Sequence, residues 1–189
     1  SVVAASANAA KFWATRGGFH AEIVGTEKTG QVHFLFTGSH QSLTSFFNAV
    51  KPTLLKETEA ITKNMRQRGG GILAIELLDS TKNIANYYQL HVRFETADAM
   101  GANFINSCLE QLAQTLQNEA ANYPHFSKTE KQIEVVMSIL SNYVPGSRVK
   151  AWVSCPIAEL GDDGDVLAKK FVQAVEIAHH NASRAVTHN

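Results

Sequence analysis

The sequence predicts an α+β fold: an antiparallel sheet with two helices on one face, flanked by helix and strand pieces of a larger domain. Three observations carry this. Apolar residues alternate with polar ones around Val32 and again around Val92. They recur at helical spacing after Leu43 and after Phe104. Glycine and proline punctuate the chain between these runs.

The elements follow in order. In Gln31 to Thr37, Val32, Phe34 and Phe36 alternate with Gln31, His33 and Thr37, the period of a strand. Leu43, Phe46, Phe47, Val50 and Leu54 form a helical stripe that Ile61 and Met65 continue; Pro52 is expected to kink it or to start a second helix there. Gly69-Gly70-Gly71 closes the stripe. Ile72 to Asp79 reads as a buried strand. From 89 to 95, Leu90, Val92 and Phe94 take one face and Gln89, His91, Arg93 and Glu95 the other. A helix with the stripe Phe104, Ile105, Cys108, Leu109, Leu112 and Leu116 follows, then a strand from Ile133 to Leu140. Strand, helix, strand, strand, helix, strand is the ferredoxin-like, split βαβ order.

The flanks lack a complete core of their own. Residues 1 to 18 read as a helix ending at Gly17-Gly18, Ala151 to Cys155 as a short strand, Gly161 to Gly164 as a turn and N-cap, and Val166 to Asn181 as a helix striped by Leu167, Phe171, Val175 and Ala178. The expected organisation is therefore 1–29 from a larger domain, 30–141 as an inserted small domain, and 142–189 again from the larger domain.

Composition excludes several classes. Hydrophobic residues at 44% and charged residues at 18% argue against disorder. Seventeen basic and seventeen acidic residues cancel, which leaves no excess charge for nucleic acid. An RNA-binding module of this topology would carry aromatic residues on its central strands, where Gln89, His91, Arg93 and Glu95 stand instead. Cys108 and Cys155 have no short Cys spacing, so neither a disulfide framework nor a zinc site is expected, which fits a reducing cytoplasm. No apolar run approaches the roughly 18 residues of a membrane helix. Ser1-Val2-Val3-Ala4-Ala5 has no basic stretch before it and reads as an internal helix, not a signal peptide.

One segment stands out chemically. Asp98-Ala99-Met100-Gly101-Ala102-Asn103 joins a strand to a helix. On spacing alone it is a tight turn with Asp98 as N-cap. It also suits phosphate binding: a helix N-terminus offers free N–H groups, and glycine lets a pyrophosphate approach the backbone. It is not GxGxxG, and no Rossmann unit surrounds it.

The hexapeptide resembles the dinucleotide-binding signature of hydroxymethylglutaryl-CoA reductases, specifically the class II, bacterial type. Five further islands match in order: Ser1 to Ala5, Gly30-Gln31-Val32, Arg68-Gly69-Gly70-Gly71, Ser141-Asn142-Tyr143, and Arg184-Ala185-Val186-Thr187-His188-Asn189. The resemblance implies an NAD(P)H-dependent, two-step reduction of hydroxymethylglutaryl-CoA to mevalonate and CoA, or the reverse. It implies a cytoplasmic homodimer or higher homo-oligomer and no metal.

The family's catalytic Glu is expected upstream of Ser1, its Lys just after Asn189, and its Asp and His further on. The sequence then has no catalytic residue of its own, and the piece is expected to be inactive. Asp98, Ala99, Met100, Gly101, Ala102 and Asn103 are expected at the cofactor's pyrophosphate and ribose. Asn142 is expected at the reacting end of the substrate, Arg184 on its free carboxylate, and Thr187 as a weaker contact.

In members that prefer NAD, an Asp near the end of the first long helix accepts the adenosine ribose hydroxyls; Thr62 aligns there, with Lys63, Arg66 and Arg68 close by. Losing the carboxylate removes repulsion toward a 2′-phosphate, so NADPH (the reduced form of NADP) is favoured over NADH. His188 lacks partners for a metal, and His179-His180 reads as a cation pair at a helix C-terminus. A small-molecule regulatory domain of the same fold is the alternative reading.

Overall fold

The computed structural model describes residues 2–187. His188 and Asn189, the end of the last resembling island, and Ser1 lie outside the described residues. The chain forms two compact units, Ile23–Arg148 and the segments on either side of it.

In chain order the elements are α1 (Val2–Ala14), β1 (His20–Thr26), β2 (Lys28–Leu35), α2 (His40–Glu57), α3 (Glu59–Gln67), β3 (Gly71–Asp79), β4 (Tyr87–Glu95), α4 (Ala102–Asn122), β5 (Glu134–Ser141), β6 (Ser147–Trp152), a 3-10 turn (Ile157–Leu160), α5 (Gly164–His180) and α6 (Ala182–Thr187). The unit Ile23–Arg148 is built on a four-stranded sheet of order β3-β4-β2-β5. Every pairing is antiparallel: β2 with β4, β2 with β5, β3 with β4. The split βαβ order read from the sequence is thus the observed one.

Alternation explains the packing. Val32, Phe34, Leu90, Val92 and Phe94 are fully buried and meet Leu43, Phe46 and Leu54 of α2 and Ile105, Leu109, Leu112 and Leu116 of α4. Their period-two neighbours Gln31, His33, Gln89, His91 and Arg93 occupy the other sheet face. That face is half-buried and polar, with His33 Nδ1 2.6 Å from the Tyr87 hydroxyl and Arg93 paired to Glu27 at 3.0 Å. Burial holds the His33 imidazole below its ordinary pKa.

Several local expectations are corrected. Pro52 does not start a second helix; α2 runs through it to Glu57. The break comes at Thr58, whose hydroxyl donates to the Leu55 carbonyl at 2.7 Å and takes an acceptor that the helix would otherwise use. β3 is an edge strand with only Gly71 and Ile75 buried, not a buried one. β1 has no counterpart among the expected elements, and β6 spans Ser147–Trp152 in place of 151–155, which leaves Cys155 outside regular structure. β1 and β6 pair as a separate two-stranded ribbon, mostly exposed, so neither has an apolar face for alternation to reveal.

The flanking unit contains α1, the 3-10 turn, α5 and α6. Helix α1 buries no residue, and α5 buries only Gly164. Phe171, Val172, Val175 and Ile177 of α5 are each more than half exposed. Helix α5 ends on His179 and His180, as a helix C-terminus favours.

Candidate functional site

The segment 98–103 is shaped from the end of β4. The Thr96 hydroxyl donates to the Ala99 carbonyl at 2.7 Å, and the Ala99 N–H donates back to the Thr96 carbonyl at 3.0 Å. This closed turn delays the helix. Asp98 is therefore not the N-cap; that position falls to Gly101, in the left-handed region at φ 76°. A Cβ on Gly101 would stand 2.5 Å from Thr96 Cγ2, so both the conformation and the close approach require glycine. Helix α4 begins at Ala102, and no side chain caps it. Its first N–H groups therefore have no partner within the helix.

Around this turn the side chains face outward. Asp98 and Met100 are more than four-fifths exposed, Asn103 is exposed, and Ala99 and Ala102 are half-buried. Asp98 pairs with the guanidinium of Arg68, from the end of the glycine run. That hydrogen bond, with the charge behind it, holds the Asp98 carboxyl below the usual carboxylate range.

Two cavities lie within the same unit. One, of about 280 Å³, is lined by Leu55, Thr58, Glu59, Thr62, Arg66, Gly70, Gly71 and Ile72. Thr62 is 4% exposed, and its hydroxyl donates to the Glu59 carbonyl at 3.3 Å. Thr62 thus offers the cavity wall little beyond its shape, while Arg66 and Glu59 supply the charge. The other cavity, of about 110 Å³, is lined by Lys28, Met100, Ala102, Ile105, Leu140, Ser141, Asn142 and Val144. It brings the exposed Asn142 together with the start of α4. Among the described residues Lys28 is the one charged residue in its lining, and its Nζ donates to Ser147 Oγ at 3.1 Å.

Arg68, which pairs with Asp98, lies in sequence between Arg66 and Gly70 of the Thr62 cavity; Met100, two residues after Asp98, lines the Asn142 cavity. Of the residues singled out in the sequence, Thr62 lines the first cavity and Met100, Ala102 and Asn142 line the second. Glu59 and Lys28, which line them as well, were not singled out, because a lone charge at a helix start or strand start carries no motif.

Arg184 and Thr187 lie on α6 in the flanking unit. Arg184 is half-buried; the Thr187 hydroxyl donates to the Ser183 carbonyl at 2.6 Å, as in an ordinary helix end. Among the described residues no group of three or more His, Cys, Asp or Glu could hold a metal ion, and no helix is long and apolar enough to cross a membrane.

The model of the hydroxymethylglutaryl-coenzyme A reductase family matches residues 1–189, and the chain belongs to that family. It is similar to a protein of Borreliella burgdorferi described as a probable 3-hydroxy-3-methylglutaryl-coenzyme A reductase, 29% identical over 160 residues. That match covers 82% of this chain and 34% of the relative.

Two solved structures from Streptococcus pneumoniae are also similar over all of this chain. One is the class II reductase bound to NADPH in open conformations, at 29% identity and a TM-score of 0.77. The other is the 3-hydroxy-3-methylglutaryl-coenzyme A reductase of the same organism, at 28% identity and a TM-score of 0.78. This chain covers 49% of each, so it spans about half the length of the structures it matches and a third of the curated relative.

Proposed function

We propose that these residues are the dinucleotide-binding part, with some of the substrate-binding part, of a cytoplasmic class II hydroxymethylglutaryl-CoA reductase. In this reading 30–141 is the ferredoxin-like NAD(P) domain, and 1–29 and 142–189 belong to the larger, substrate-binding domain. The observation that carries it is the turn Thr96–Gly101. It leaves the N-terminus of α4 uncapped, with Met100 and Ala102 lining the cavity that also holds Asn142. A pyrophosphate fits such a helix start, because free N–H groups and the helix dipole both favour its charge.

The roles then distribute along the chain. Asp98 to Asn103 receive the pyrophosphate and adjoining ribose. Asn142 hydrogen-bonds the reacting end of hydroxymethylglutaryl-CoA. Arg184 grips the substrate's free carboxylate in a two-pronged ion pair, with Thr187 as a lesser contact. The cofactor, when bound, supplies hydride for two successive reductions, to mevalonate and free CoA. The proton donors and the oxyanion-stabilising lysine of the resemblance have no counterpart among these residues, so their task is binding and orientation, without turnover on their own. The exposed apolar face of α5 supports assembly as a dimer or larger homo-oligomer.

NADPH is favoured over NADH. Thr62 carries no charge to repel a 2′-phosphate, and Arg66 lines the same cavity and can pair with one. Arg66 takes precedence over Arg68, which is engaged by Asp98. Glu59 in the same wall suits ribose hydroxyls instead and limits the preference.

The test is Thr62→Asp in this chain, with Kd measured for both cofactors. A carboxylate set against a phosphate costs several kcal/mol. A swing in the Kd ratio of about ten-fold or more toward NADH is expected, since each ~1.4 kcal/mol is a factor of ten. A ratio unchanged within about two-fold, or ~0.4 kcal/mol, would remove the basis for NADPH.

A further inference from the structure

We infer that Glu95 is a positioning residue for the dinucleotide turn: its carboxylate locks Ala97 in the left-handed backbone conformation that aims residues 98–103 at the ligand. This rests on the reading of that segment as the pyrophosphate site. Ala97 has φ 51°, one of two non-glycine residues with positive φ among the described residues. A side chain with a Cβ disfavours that conformation, so something must hold it there.

Glu95 Oε1 accepts the Ala97 N–H at 2.8 Å, and Oε2 accepts the hydroxyl of Thr26 at the end of β1. Both carboxylate oxygens are thus engaged, one by the strained residue and one by a fixed strand end. A carboxylate that accepts from a backbone N–H makes a stronger bond than a neutral acceptor does.

The backbone of Glu95 is equally constrained. It ends β4 opposite Gly71, and a Cβ on Gly70 would stand 2.5 Å from its carbonyl oxygen. One residue therefore sits against the glycine run on one side and sets the turn that begins the dinucleotide segment on the other. If the turn relaxed at Ala97, the Thr96–Ala99 hydrogen bonds and the Arg68–Asp98 pair would lose their common geometry. Glu95 reaches no ligand in this account; it acts through Ala97.

The experiment is a double-mutant cycle on the 189-residue chain with NADPH as probe, backed by the HN–Hα coupling and amide exchange of residue 97. Glu95→Ala is expected to weaken NADPH by about ten-fold, the weight of one lost charge-assisted hydrogen bond, and to speed exchange of the Ala97 amide. Glu95→Gln keeps an acceptor for that N–H and is expected to stay within about three-fold of the parent.

The distinguishing arm is Ala97→Gly. Glycine populates positive φ freely, so Glu95→Ala in that background is expected to cost no more than about three-fold. Equal losses from Glu95→Ala in the parent chain and in the Ala97→Gly background would overturn the positioning role, as would NADPH binding unchanged by Glu95→Ala. If the parent chain fails to bind NADPH at all, the dinucleotide reading falls, and this role with it.

Discussion

The two units draw on similar residues and bury them very differently. In Ile23–Arg148, the valines, leucines and phenylalanines of four strands and two long helices close on one another, and a dozen large side chains are fully buried. In the flanking segments no described hydrophobic residue is buried, although α5 carries Phe171, Val172, Val175 and Ile177. An amphipathic helix has a core only if something covers its apolar stripe. The sheet unit thus has a core that its own residues close, whereas the apolar stripe of α5 stays exposed.

The comparison breaks most sharply under truncation of one side chain in each unit. Leu109→Ala, from a fully buried position in α4, is expected to cost about 2–5 kcal/mol. Phe171→Ala, at a position 57% exposed, is expected to stay within about 0.5 kcal/mol. Urea unfolding of both variants measures the contrast, and equal losses would mean that the flanking unit has a core after all. Phe171→Ala should also reduce self-association by light scattering, which Leu109→Ala should not.

A smaller effect sharpens the picture inside the sheet unit. Gly101→Ala places a Cβ against Thr96 at a positive φ, and about 1–3 kcal/mol of stability should be lost. NADPH affinity should fall with it, because the turn and the start of α4 move together. A variant that keeps both properties would contradict the required close approach.

The mildest probe changes no residue. Burial pushes the Cys108 thiol up to about 12, so below that pH it stays protonated and shielded. Cys155, only partly buried in the flanking unit, is the accessible one. Iodoacetamide at about pH 8, near the ordinary thiol pKa, should label Cys155 alone, by peptide mass mapping; labelling of Cys108 in the folded chain would show that the sheet unit opens.

Where one face of an element is buried, the sequence was readable. Val32 and Phe34, Leu90 to Phe94, and the stripes of α2 and α4 announced their strands and helices, because burial imposes the alternation. Where burial was absent, β1 left no signal and β6 was read too late in the chain, as 151–155; Pro52 pointed to a helix start that the structure places after Thr58. The candidate site was legible only in part. The segment 98–103 stood out through its residues, and the structure adds what no spacing reports: the Arg68–Asp98 pair, the Glu59–Arg66 cavity wall and the Glu95 clasp on Ala97. None of these contacts leaves a mark in the sequence, because each depends on how the backbone brings its residues together.

The central claim is that the self-contained unit carries a dinucleotide site at the start of α4. The most direct measurement is a titration of the isotopically labelled 189-residue chain with NADPH, followed through its backbone amide resonances. Saturable shifts are expected at residues 98–104 and at 66–71, with the flanking helices little changed. Saturable shifts confined to the flanking segments, or no binding at all, would contradict the claim.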